Sequence, residues 1–334
     1  MEKINIKKVV ITSAIVFTAS ISILLIKNSF AILTKIVNTK NYFTMKVKEQ
    51  TASEMVTELA KNDKANLAYD GTVDNNLRYV GEDPNNYVSF NNELWRIVGS
   101  FANISNGTTS SKRIKLVKNG YAYTGTAFDS NNSNDYSTST LKATLNGTYY
   151  NGLTTDAKNM IDNAVWNTGG FAPTFNASTG SNAADFYAAE RSSTVYSGHA
   201  TTWTGKVGLM YPSDYLYGTS GSSSVSRATC LSTSAYGTNS NWCNWTGTLG
   251  DSRNGGPCAQ NDYLFDSSHG QWTITPYSGY SDDVFDVYNG GTMGYYNADN
   301  AYSYYGVRPA VFLKSSISIS GGSGTASDPY TLSL

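Results

Sequence analysis

The chain has 334 residues and a formal charge of −1, with only 15% charged residues, so no basic surplus points at nucleic acid and no such partner is expected. Disorder is excluded as well, because 40% hydrophobic and 13% aromatic residues can offset the chain entropy of folding. Abundant Tyr, Gly, Ser, Thr and Asn is instead the surface chemistry of extracellular β-rich domains.

Residues 9–26 form an uncharged run preceded by Lys3, Lys7 and Lys8 and followed by Lys27. At about 1.5 Å per residue a helix of this length spans roughly 27 Å, close to a bilayer's hydrocarbon thickness. The leading lysines keep the front of the chain in the cytoplasm and put the remainder outside. Residues 1–31 therefore read as a transmembrane anchor or a signal peptide. Ser29 and Ala31 supply small residues at −3 and −1 of a cleavage site after Ala31. The length of the run and Lys27 favour retention, which gives a cell-membrane protein facing outward; cleavage gives a secreted one. Beyond residue 31 the chain holds 20 basic and 24 acidic residues, a mildly acidic exported body.

Residues 32–66 read as a helical stalk or linker. Met55, Val56 and Leu59 fall at helical spacing behind Thr51 and Ser53, with Glu54 in the first turn. The body, 67–334, opens with short apolar stretches. Residues 87–90 and 94–98, joined by Asn91-Asn92-Glu93, describe a β-hairpin. Residues 113–117 alternate basic and apolar, as in a half-buried strand. Helical character is confined to the middle, in two or three short helices. Leu141, Leu145, Tyr149 and Tyr150 share one face after Ser139. Thr154 or Thr155 caps a second helix with Ala157, Met160, Ile161, Ala164 and Val165 inward, and 183–191 is a third.

Strands then resume. Residues 284–288 and 292–296 form a hairpin around Asn289-Gly290-Gly291. Residues 307–313 are a strand whose Pro309 belongs at an edge or bulge. A last hairpin joins 315–320 to 329–332. No internal repeat is present, and strands at both ends with helices between them make the body α+β. The chain stops at Leu334 with neither a sorting motif nor an apolar tail, so no attachment is expected there.

Residues 277–305 hold eight tyrosines, four aspartates and no Lys or Arg. Tyr offers a flat apolar face with a polar tip and few rotors, and Asp and Asn accept hydroxyl hydrogen bonds, which suits a sugar or protein ligand. The candidate contact residues are Tyr280, Asp282, Asp283, Tyr295, Tyr296, Asn297, Asp299, Asn300, Tyr302 and Tyr304. About half of the tyrosines are expected to pack across strands instead. The Asp and Asn residues of these loops could converge on calcium, but turn-forming backbone bonds are the favoured role, and no cofactor or metal is expected. His199 and His269 have no ligand partner at metal spacing. Cys230, Cys243 and Cys258 allow three pairings with one thiol left over. Cys243, between Trp242 and Trp245, is expected to pack.

Five ordered motifs resemble an uncharacterised family of Gram-positive bacterial surface domains. They are the strings at 74–101 (DNNLRYVGEDPNNYVSFNNELWRIVGSF), 145–153 (LNGTYYNGL), 205–215 (GKVGLMYPSDY), 272–276 (WTITP) and 305–332 (YGVRPAVFLKSSISISGGSGTASDPYTL). The resemblance covers 67–334 and implies a Cys230–Cys258 disulfide. In that family a Cys after an Arg-Ala-Thr-like stretch pairs with one just before Asn-Asp-aromatic-Leu. Gly306-Val307-Arg308-Pro309 after a Tyr-rich loop also resembles the terminal strand of the C-type-lectin fold, shared with formylglycine-generating-enzyme-like domains. That likeness implies a lectin-like body that binds beside its terminal strand. The expected function is a surface-displayed, non-catalytic binding or adhesion domain for a glycan or protein. The alternatives are a structural envelope protein without a specific ligand and a formylglycine-type oxidoreductase, which needs paired reactive cysteines near a groove.

Overall fold

The computed structural model describes residues 32–37, 43–48, 50–174, 180–237, 240–244, 255–300 and 305–334. The apolar run 9–26, the cleavage position after Ala31, Trp245, Tyr302 and Tyr304 lie outside them. Among the described residues no helix is long and apolar enough to cross a membrane.

Strands β1 (Ile32–Val37) and β2 (Phe43–Lys48) pair antiparallel, where the sequence reads as stalk. Helix α1 (Ala52–Leu59) follows, closed by the capping box of Thr51 and Glu54. Then come β3 (Leu67–Tyr69), β4 (Leu77–Tyr79), β5 (Tyr87–Phe90), β6 (Glu93–Ser105), β7 (Ser110–Lys118) and β8 (Tyr123–Thr124). The middle of the chain supplies α2 (Thr140–Thr144), a π-helical turn (Leu145–Tyr149), α3 (Tyr150–Gly152), α4 (Thr155–Met160), β9 (Ala164–Asn167) and α5 (Ala183–Glu190). It goes on to β10 (Thr202–Gly205), β11 (Val207–Gly208), α6 (Pro212–Gly218) and α7 (Arg227–Ser232). The chain closes with β12 (Gly270–Pro276), β13 (Asp283–Val287), β14 (Met293–Asn297), β15 (Tyr305–Val307), β16 (Ala310–Phe312), β17 (Ser318–Gly321) and β18 (Tyr330–Ser333).

The architecture is α+β and mostly strand. One large sheet runs β11-β16-β7-β6-β5-β18-β17, with β4 on β6 and β3 on β4; a second runs β14-β13-β12-β15-β8. A single apolar cluster joins them, from Val56 on α1 through Trp95 and Leu116 to Trp272 and Val311. Helix α1 belongs to this body: Ala52, Met55 and Val56 are buried, and the Ala52 amide donates to the Ile317 carbonyl at 2.7 Å.

Local signals explain several elements. Asn91 and Asn92 both take positive φ, at 57° and 58°, which matches the right-handed twist of β5 and β6 in a two-residue turn. Gly291, at φ 85°, closes the hairpin of β13 and β14. Ser139 caps α2 and Thr154 caps α4 through their side chains.

Four expectations are corrected. Helices are not confined to two or three before residue 191: α6 and α7 follow, each opened by a local start signal, Pro212 at the head of α6 and the Ser226 side-chain cap of α7. Residues 113–117 are not half-buried: Arg113 and Lys115 are enclosed because both faces of β7 are covered, and each charge meets a carboxylate, Asp162 and Asp214 respectively. The second helix stops at Met160, and Ala164 and Val165 belong to β9, paired with β10. Residues 307–313 are not one strand. The chain leaves the small sheet after Val307, turns through Arg308-Pro309, and enters the large sheet at Ala310. Proline cannot donate to a ladder, so the break falls there.

Candidate functional site

The aromatic segment forms on β13 and β14, whose register sets Asp283 opposite Asn297, Val284 opposite Tyr296 and Phe285 opposite Tyr295. Successive strand side chains point to opposite faces, so Tyr295 and Tyr296 part company. Tyr296 turns toward Tyr305, at 5.9 Å between rings, and buried Tyr305 stacks on Trp272 at 4.3 Å. Tyr295 lies 4.3 Å from Tyr277 and 5.8 Å from buried Tyr236. Tyr277 in turn stacks on Tyr280 at 5.6 Å and 18°. The result is a row, Tyr236–Tyr295–Tyr277–Tyr280, that runs from the interior to the surface. Phe285, Phe171 and Phe186 underlie it with edge or tilted contacts. At the outer end Tyr280 is 55% exposed.

Polar groups gather where the row reaches the surface. The Asp282 carboxylate accepts hydrogen bonds from the side-chain amides of Asn132 (3.2 Å) and Asn297 (3.0 Å), and the Asp299 backbone amide donates to the Asn132 side-chain Oδ1 at 3.1 Å. Asn297 and Asp299 are exposed. Asp283 and Asn300 are turned inward and buried. Burial, with the neighbouring charge of Asp282 second, pushes the Asp283 carboxyl up to about 6. Among the described residues no group of three His, Cys, Asp or Glu side chains is placed to hold a metal ion.

The loop that carries Tyr280 is held from beneath. Asn134 is fully buried, and its amide nitrogen donates to the carbonyls of Tyr277, Tyr280 and Asp283 at 2.8–3.1 Å. Its oxygen faces the His199 Nδ1 at 2.7 Å. Sequence reasoning missed Tyr277, Tyr236, Asn132 and Asn134 as parts of this site. Tyr277 sits three residues before Tyr280 and was open to detection. Asn132 and Asn134 lie about 150 positions from the loop they fix, and nothing local marks them.

The Cys230–Cys258 disulfide is present, with 5.5 Å between Cα atoms and both residues buried. It ties α7 to the segment before β12. Buried Trp242 lies against this bridge, its indole N–H donating to the Cys230 carbonyl at 2.9 Å, and Cys243 is buried beside it. No protein-family model, no curated protein and no solved structure matches the chain.

Proposed function

We propose that the protein is a surface-displayed, non-catalytic binding or adhesion domain, and that its ligand is a glycan or a glycan-bearing protein. The supporting observation is the outer end of the tyrosine row. Tyr280 is backed by Tyr277 and keeps more than half its surface in water, and the acceptors Asp282, Asn297 and Asp299 lie on the same hairpin. An aromatic face stacks on the C–H side of a sugar ring while carboxylate and amide oxygens take its hydroxyl hydrogens. A loop whose backbone is held by the buried Asn134 clamp loses little conformational freedom on binding.

Display outside the membrane rests on the charged flanks of the 9–26 run, and a buried disulfide suits an oxidising compartment. A C-type-lectin-like reading of the α+β body is supported by late strand β16 returning to early strand β7 beside a separate sheet that carries the ligand hairpin. The test is a glycan array probed with the full chain in mild detergent. Tyr280→Ala should weaken the strongest signal about tenfold, the scale of a small hot-spot truncation, with an unchanged circular dichroism spectrum. A silent array would favour a structural envelope role.

A further inference from the structure

A cleft of about 360 Å³ shares no lining residue with the tyrosine hairpin; its walls include Arg308, Arg96, Asp262, Asp266, Glu82 and Asp83. Its character follows from how the chain treats buried cations. Arg78, Arg113 and Lys115 are enclosed, and each meets at least one carboxylate. Arg96 is enclosed too and reaches Asp83 at 3.3 Å while stacking on Tyr87. Arg308 departs from this rule. It is buried, and its hydrogen bonds all go to neutral oxygens: the Lys118 carbonyl from Nε (2.8 Å), and the Leu264 carbonyl (2.9 Å) and Gln271 side chain (3.3 Å) from Nη1. Nη2 donates to no described residue. Asp266, on the same cleft wall, acts on it only through space. A guanidinium withdrawn from water with no carboxylate in contact is costly, and an anion that docks on it recovers that cost.

Asp262 does not supply that charge. One oxygen accepts from the Leu264 amide at 2.7 Å, and the other is buried with no partner among the described residues. The carboxyl lies on bare backbone at Gly218, where a Cβ would come within 2.4 Å of Oδ2. Burial raises its pKa well above the usual carboxylate range, which favours the neutral acid. The donor that the cleft wall presents is thus Arg308. The carboxylates of Glu82 and Asp83 are exposed at the same cleft. They repel a bare anion and attract a cation.

We propose that this cleft binds a small zwitterion of the amino-acid type, its carboxylate on Arg308 and its ammonium toward Glu82 and Asp83. Its volume suits one such molecule or a chain end, not a polymer segment. The site stands independently of the tyrosine row.

The experiment is isothermal titration of the full chain with glycine, acetate and glycinamide. Glycine should bind best, acetate more weakly, and glycinamide at least about tenfold more weakly than glycine, because a charge-assisted hydrogen bond is lost. Arg308→Gln should abolish the glycine signal. Since Arg308 also ties two carbonyls and its loss can unfold the chain, the exposed Glu82→Gln provides the second test. There the advantage of glycine over acetate should shrink. Glycinamide binding as well as glycine, silence with all three ligands, or an unchanged glycine-to-acetate ratio in Glu82→Gln would each overturn the assignment.

Discussion

Asp214→Asn should be among the most destabilising single changes available to this protein. Asp214 is fully buried on α6 and accepts from Arg78 Nη1 at 2.8 Å, from the Lys115 ammonium, and from the Tyr211 amide at 2.9 Å. Arg78 also binds Asp70 at 2.9 Å, so two buried cations share two buried carboxylates. Aromatic rings close the network: Lys115 lies 4.2 Å from the Tyr211 ring, and Arg78 lies 4.7 Å from Phe101. Asn keeps the shape but removes one charge, which leaves two cations facing one anion in a dry interior. Breaking a buried pair in this way costs about 3–5 kcal/mol. At about 2–3 °C per kcal/mol for a chain of this size, that is a fall in Tm of about 6–15 °C. The loss should also acquire a pH dependence. Burial already lowers the Lys115 pKa and Asp214 opposes that shift; without Asp214 it drops further. A base with a depressed folded-state pKa binds fewer protons folded than unfolded, so stability rises with pH up to the ordinary lysine range. Urea melts of the variant should therefore improve between pH 6 and pH 9 relative to the parent. A cost under about 1 kcal/mol, the value of an exposed ion pair, would refute the network's role. So would a loss that is flat with pH.

The Cys230–Cys258 bridge closes a separation of 28 residues, and its replacement by two alanines should cost about 3–4 kcal/mol in a denaturant melt; no change under reducing conditions would count against it. Asp283 should titrate near 6 by carbon-detected NMR and move lower in Asp282→Asn, since the neighbouring charge adds to the effect of burial. Its folded-state pKa lies above the unfolded value, so its contribution is complete below about pH 4 and is lost as the pH rises through about 6. A midpoint near 4 would mean that Asp283 is solvated.

Where a structural cause is local, the sequence carried it. The Thr51–Glu54 capping box, the Asn91-Asn92 turn and the Gly-rich hairpin turn at 289–291 each depend on residues within a few positions, and all three formed. The strand β7 shows the limit. Alternating Arg, Ile, Lys, Leu and Val is the pattern of a sheet with one wet face. The partners that make both faces dry are Asp162 and Asp214, 49 and 99 residues away from Arg113 and Lys115. Hydropathy cannot distinguish a cation facing water from one facing a distant carboxylate. The candidate site divides the same way. Exposed Tyr280, Asn297 and Asp299 were legible from composition, whereas the inward turn of Asp283 and Asn300 depends on register.

Both proposed binding places sit where regular strand pairing ends and a side chain takes over the work of fixing the backbone. Tyr280 follows β12, and its loop is anchored by Asn134 in place of a ladder. Arg308 occupies the step between the two sheets, and it ties Lys118, at the end of β7 in the large sheet, to Leu264 and to Gln271 on β12 in the small one. A ladder uses every backbone donor and acceptor and leaves none for a ligand, while a side-chain clamp holds the chain still and leaves neighbouring groups open. In this fold the crossing at Pro309 creates such a place. Proline removes a ladder donor, the chain passes from one sheet to the other there, and the residue just before it is delivered to the seam with a guanidinium that no carboxylate contacts.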